Sequence, residues 1–131
     1  METTATKTEI EAEKQSILLP VNEYLEGRPV KDIERLRRAF HPDACIRMVV
    51  DGKLVQWTVP QYLDAVAKAS LQECQPEILS YTWDGDTASA HVRLTFPTFR
   101  FIDRFNLVKL DGKWLLMDKI SYRQFRIKSG F

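Results

Sequence analysis

Three Asp-Gly pairs, Asp51-Gly52, Asp84-Gly85 and Asp111-Gly112, punctuate this 131-residue chain, each between alternating or β-branched apolar residues. Such a pair is a favoured two-residue hairpin turn, because both central residues take positive φ, which Gly tolerates freely and Asp better than most. Three antiparallel hairpins are therefore expected after a helical first third. Pairing outward from Asp84-Gly85 sets Leu79 opposite Ala90 and Tyr81 opposite Ala88, on one face with Trp83, Val92 and Leu94. Ser80, Ser89, His91 and Arg93 fall on the other face. Pairing outward from Asp111-Gly112 sets Leu107 opposite Leu116, Phe105 opposite Asp118 and Asp103 opposite Ile120, with Phe101 and Tyr122 on that same face. Both registers part a mainly apolar face from a more polar one, as a half-buried sheet requires, and a bulge in either would flip part of it.

The first third reads as helix. Residues 1 to about 8 are polar and Thr-rich, a disordered tail by composition. From Glu9 the apolar positions Ile10, Ile17, Val21, Tyr24 and Leu25 follow helical spacing, and Gly27 is placed to cap the C-terminus. Pro20 removes one backbone bond, so the helix kinks there or a new segment begins. A second helix is expected from about Asp32 to Phe40, stopped by His41-Pro42, with strands near 45–50 and 53–57 after it. Thr58-Val59-Pro60-Gln61 is a capping box opening a third helix with Val59, Tyr62, Leu63 and Val66 on its apolar side. The order α-α-β-β-α-β-β-β-β makes the chain α+β, with one domain over residues 9–131 and the helices packed on a curved antiparallel sheet.

Charge and composition exclude several roles. A formal net charge of +1 offers no bulk field for nucleic acid or an anionic membrane. Arg35, Arg37 and Arg38 cluster on a helix that also carries Asp32 and Glu34, the pattern of a solvated face. Cys45 and Cys74 lack metal-ligand spacing and fit reduced thiols, with one disulfide left open. No apolar run approaches the ~20 residues of a membrane span, and no signal core opens the chain. A soluble, cytoplasmic protein is expected. No Gly-rich phosphate loop or nucleophile motif is present, and the two histidines lack an acidic cluster at ligand spacing, so no metal or cofactor is expected.

Three runs carry a family resemblance that spans about Ile17 to Phe125. They are Tyr24-Leu25-Glu26-Gly27 with Leu36 through Ala44, then Gly85 through Ala90, then Asp103 through Trp114. With the order of elements, they resemble the nuclear transport factor 2-like superfamily, nearest the putative lumazine-binding branch beside the SnoaL-like polyketide cyclases. The resemblance implies a cone-shaped fold with a ligand pocket, and relatives that commonly pair through the sheet as homodimers. Its members include isomerases, dehydratases, cyclases, transport adaptors and proteins without assigned activity, so fold alone does not select a function.

Asp103 is the leading candidate for chemistry. Among Phe101, Phe105, Ile120 and Tyr122, a desolvated carboxylate could act as general base or as a neutral hydrogen-bond donor. The structural alternative is a link to Arg104, Lys119 or backbone. Asp118, diagonal to Asp103 in this register, could share a proton with it. His41 and Asp43 flank Pro42 where the resemblance implies a pocket rim and an acid-base Asp. The same run also serves as a helix stop. Tyr24, Trp57, Tyr62 and Tyr81, with Tyr122, supply aromatic walls that suit a flat ligand and equally suit a small core. Three readings follow. The first is a small-molecule-binding domain, working as a homodimer. The second is a cofactor-independent isomerase, dehydratase or cyclase using Asp103, with His41 or Tyr24. The third is a protein-interaction adaptor.

Overall fold

The Thr6 side chain accepts from the Glu9 amide at 3.1 Å and caps α1, Lys7–Val30, in the computed structural model, which describes residues 5–131. The expected tail thus falls partly on capped helix and partly on residues 1–4, outside the described residues. The helix runs through Pro20 unbroken, so no new segment begins there. The proline ring is buried with Ile17, Val21 and Tyr24, and burying each such side chain contributes about 1.5–3 kcal/mol. That is enough to offset the ~3 kcal/mol a mid-helix proline costs.

Gly27 is not the cap. A Cβ there would lie 3.2 Å from Arg35 Cβ and 3.5 Å from the Asp32 carbonyl oxygen, so glycine serves the close approach of the next helix. Lys31 takes the left-handed conformation at φ 58° instead. The Asp32 amide donates to the Gly27 carbonyl at 2.9 Å and the Lys31 amide to Arg28 at 3.3 Å, closing a Schellman turn. Asp32 then caps α2, Ile33–Ala39, by accepting from the Arg35 amide.

Strands β1 (Phe40–Val50) and β2 (Lys53–Thr58) precede α3 (Val59–Lys68), which opens on the expected Thr58/Gln61 capping box. Strands β3 (Gln75–Asp84), β4 (Thr87–Thr95), β5 (Phe99–Leu110) and β6 (Lys113–Phe125) complete a six-stranded sheet in the order β2-β1-β6-β5-β4-β3. Among the described strands only β1 and β6 run parallel. The three helices pack against the inner face of this curved α+β sheet, the cone architecture expected from the order of elements.

Two of the three turns form as read. Asp51 and Gly52, and Asp111 and Gly112, all take positive φ. The third is displaced: Asp84 pairs with Thr87, so Gly85-Asp86 is the central pair and Tyr81 faces Ala90 while Trp83 faces Ala88. A bulge between Ile78 and Ser80 turns Leu79 outward. The β5–β6 register holds from the turn to Leu107 opposite Leu116, then slips. Asn106 pairs with Asp118, leaving Met117 as the extra residue, and Asp103 faces Ser121 rather than Ile120. A one-residue slip reverses every side chain beyond it. Lys119 and Ser121 are therefore buried, whereas Ile120 and Tyr122 are 54% and 60% exposed on the outer face.

Candidate ligand pocket and its buried polar base

A cavity of about 220 Å³ opens between α3, the C-terminal part of α1 and the inner faces of β1, β2, β5 and β6. Trp57, Tyr62 and Phe101 give it aromatic walls, Ile46, Met48 and Val66 aliphatic ones, and Lys119 and Ser121 a polar side. A larger depression of about 860 Å³ lies between the end of α1, residues 71–75 and the β4–β5 turn. The smaller cavity is the candidate, because it abuts a buried polar cluster.

That cluster is built on the fully buried Asp103. The Tyr24 hydroxyl donates to Asp103 Oδ2 across the core, and Ser121 Oγ donates to Oδ1 at 2.5 Å. Among the described residues no cation pairs with Asp103, so neither Arg104 nor Lys119 provides the expected structural link. Lys119, 5% exposed, donates instead to the Tyr62 hydroxyl at 3.2 Å. Its ammonium lies 4.3 Å from the Tyr62 ring centroid and 5.1 Å from that of Tyr24. Tyr24 also packs edge-on against Phe105, with centroids 4.9 Å apart. Burial, reinforced by the neighbouring Asp103 charge, holds the Tyr24 phenol well above its ordinary pKa. Tyr24 is thus a neutral, committed donor.

These bonds fix what the cavity can offer. Asp103 does not line it; Ser121 does, and stands between the carboxylate and any ligand. Because the Ser121 proton is engaged by Asp103, the oxygen presents lone pairs, as an acceptor. The Tyr62 oxygen accepts from Lys119, so its own proton is available to donate. Proton exchange between Asp103 and a ligand in the cavity would pass through Ser121.

The structure brings together only part of the sequence-derived set. Trp57 and Tyr62 line the cavity and Tyr24 and Asp103 lie beneath it. Tyr81 packs against the hydrophobic core on the inner face, away from the lining. Asp118 and Tyr122 are on the outer face, where Asp118 meets Arg47 at 3.6 Å, so the register that set Asp118 beside Asp103 is corrected by the Met117 bulge. His41 and Asp43 sit in an irregular stretch of β1 between Phe40 and Cys45 and do not line the cavity. There His41 Nδ1 accepts from the Asp43 amide at 2.9 Å, the local turn of a strand entry. Sequence reasoning missed Arg28, Phe101, Lys119, Ser121 and Arg123 as lining residues. Phe101 alone carried a signal, its inward register.

Similarity agrees with the architecture. The family described as "Putative lumazine-binding" matches residues 12–122. The chain is similar to a nuclear transport factor 2-like protein of unknown function from Shewanella baltica, 30% identical with a TM-score of 0.83, over 92% of this chain and 98% of that one. A second such protein of unknown function, from Silicibacter pomeroyi, is 20% identical with a TM-score of 0.77, over 88% and 98%. The chain is also 25% identical over 100 residues to Aldolase FrzH of a Cladobotryum species, covering 74% of this chain and 80% of that protein. With 111 residues matched by the family and the cone fold formed, the chain belongs to the putative lumazine-binding family of the nuclear transport factor 2-like superfamily.

Proposed function

We propose that this domain binds a small organic molecule in the 220 Å³ cavity, with its flat body held between Trp57, Tyr62 and Phe101. The observation that carries the reading is the join of an aromatic-walled cavity to a cluster in which both oxygens of a buried carboxylate are engaged. Such a cluster is preorganised and keeps Ser121 and Tyr62 pointed at the ligand. Chemical-shift mapping with lumazine and related fused-ring heterocycles tests it. Perturbations centred on the Trp57 indole and the amides of Lys119 and Ser121 are expected. Shifts confined to the outer sheet face would overturn the reading.

A second reading is favoured by one contact. The Tyr24–Asp103 hydrogen bond, with Ser121 relaying to the cavity, could support proton transfer without a cofactor, and one similar protein is named as an aldolase. On this reading Asp103→Asn abolishes turnover and spares ligand binding; equal activity in the variant ends it. The proposal extends to a homodimer through the outer sheet face, supported by the exposed Val49, Leu54, Ile120 and Tyr122 on it.

A further inference from the structure

Among the described residues, the cavity is lined by several cations and by no carboxylate. Arg28, Lys119 and Arg123 border it, and among the described residues none of the three is ion-paired. Arg47 also borders it, but its side chain engages Asp118 at 3.6 Å and Gln56 at 3.2 Å, partners on the outer face. Outside the cavity, Arg35, Arg38, Arg93 and Lys109 each meet a glutamate, whereas Arg100, Arg104 and Arg126 have no ion pair among the described residues.

Lys119 is the informative member. A nearly buried ammonium without a counter-ion is costly, and one neutral hydroxyl with two aromatic faces compensates it only in part. Arg28 is half-buried, its guanidinium 5.7 Å from the Phe96 ring centroid and 6.0 Å from that of Phe101. Two cations whose only described partners are aromatic rings and a phenol therefore border the aromatic walls. Arg123 is exposed at the mouth, where it attracts an incoming anion without contributing much once the anion is bound.

We infer that the ligand is a planar aromatic carboxylate, its ring system between Trp57, Tyr62 and Phe101 and its carboxylate toward Lys119 and Arg28. The assignment rests on the pocket reading above and narrows it to one chemical class. A ligand carboxylate supplies the missing counter-charge, and Ser121, turned acceptor by Asp103, is left for a ring N–H or hydroxyl.

Naphthoate and its neutral amide, naphthamide, are matched in shape and differ in charge. Titrated against the full chain at low and at moderate salt, the acid is expected to bind about tenfold tighter or more, the scale of a charge-assisted hydrogen bond. Lys119→Met should remove most of that preference, and Arg28→Gln part of it. Arg123→Gln, an exposed change that spares the fold, should reduce the salt dependence and the on-rate. Equal affinity for acid and amide in the unaltered chain overturns the anion assignment and leaves the pocket reading standing. An acid preference unchanged in both Lys119→Met and Arg28→Gln overturns the assignment to these residues. Should Lys119→Met fail to fold, Arg28→Gln decides alone. Binding of neither compound to a chain with a folded spectrum overturns the pocket reading together with the anion.

Discussion

The hydroxyl of Tyr24 in α1 donates to the carboxylate of Asp103 in β5, 79 positions away in the chain, and solvent reaches neither residue. This bond ties α1 to an interior strand of the sheet. Ser121 supplies the second donor from the neighbouring strand, so three elements share one carboxylate. The arrangement costs desolvation and returns geometry: both the helix and the Met117 bulge must be in place for Asp103 to be satisfied.

Deleting either donor is expected to be expensive. Tyr24→Phe and Ser121→Ala each leave a buried carboxylate oxygen short of a partner, a loss of about 1–3 kcal/mol. Since both act on one group, a double-mutant cycle between Tyr24→Phe and Asp103→Asn should return a coupling of about 0.5–3 kcal/mol. Urea denaturation of the four proteins measures it. Strictly additive changes would show that the two side chains are neighbours without being partners.

Alkaline pH should find the same bond. The Tyr24 phenol has its folded pKa raised above the ordinary value of 10.0, by burial first and by the Asp103 charge second. Below that value both folded and unfolded chains hold the proton, and stability is unaffected. Above it the unfolded chain releases the proton while the folded chain keeps it, so the folded state binds more protons and stability falls as pH rises. The unaltered chain should therefore lose stability more steeply above pH 10 than Tyr24→Phe does. Parallel slopes for the two proteins in urea melts across that range would refute the assignment.

Most of the architecture was legible because its signals are local. The Asp51-Gly52 and Asp111-Gly112 turns and the Thr58/Gln61 capping box depend on residues within a few positions of one another. The site was less legible, since its content depends on Met117. Reading hydropathy along β6, Ile120 and Tyr122 belong inside and Lys119 and Ser121 outside; the structure reverses all four. The reversal begins at Met117, and beyond it β6 runs parallel to β1, with Ile46 beside Lys119 and Met48 beside Ser121. Curvature and parallel pairing are tertiary, and neither leaves a periodic mark on the strand. Asp103 was found because its own strand, β5, carries no bulge. Gly27 was misplaced for a related reason: its lack of a side chain serves α2 crossing at Arg35, a contact eight positions onward.

Cys74 should be a slow thiol. Half-buried beside the larger surface depression, it has its pKa raised to about 11, chiefly by burial, with Arg28 opposing. Relative to an ordinary cysteine at 9.0, the thiolate fraction near neutral pH falls roughly a hundredfold, and alkylation slows accordingly. Iodoacetamide labelling followed by peptide mass analysis should give Cys74 a rate far below that of the denatured chain. A rate equal to the denatured value would show that the thiol is not held as described.

The outer sheet face supports the last prediction. Val49 and Leu54 are paired neighbours, as are Ile102 and Tyr122, so apolar side chains cross β2, β1, β6 and β5 in one band. Val49, Leu54, Ile120 and Tyr122 are all more than half exposed. A continuous exposed apolar band on a sheet is a surface that proteins cover. A second copy of the same face would cover it with matching chemistry, since one two-fold axis sets band against band. His91 lies on the same face with a buried Nε2 that has no hydrogen-bond partner among the described residues, and burial lowers its pKa, with Arg104 and Arg93 adding to the effect. A neutral histidine there does not repel the facing copy. Sedimentation should therefore return a dimer, and Tyr122→Glu or Ile120→Glu should shift it to monomer with the circular dichroism spectrum unchanged. An unaltered chain that stays monomeric at high concentration would leave the band uncovered and remove the basis for pairing through the sheet.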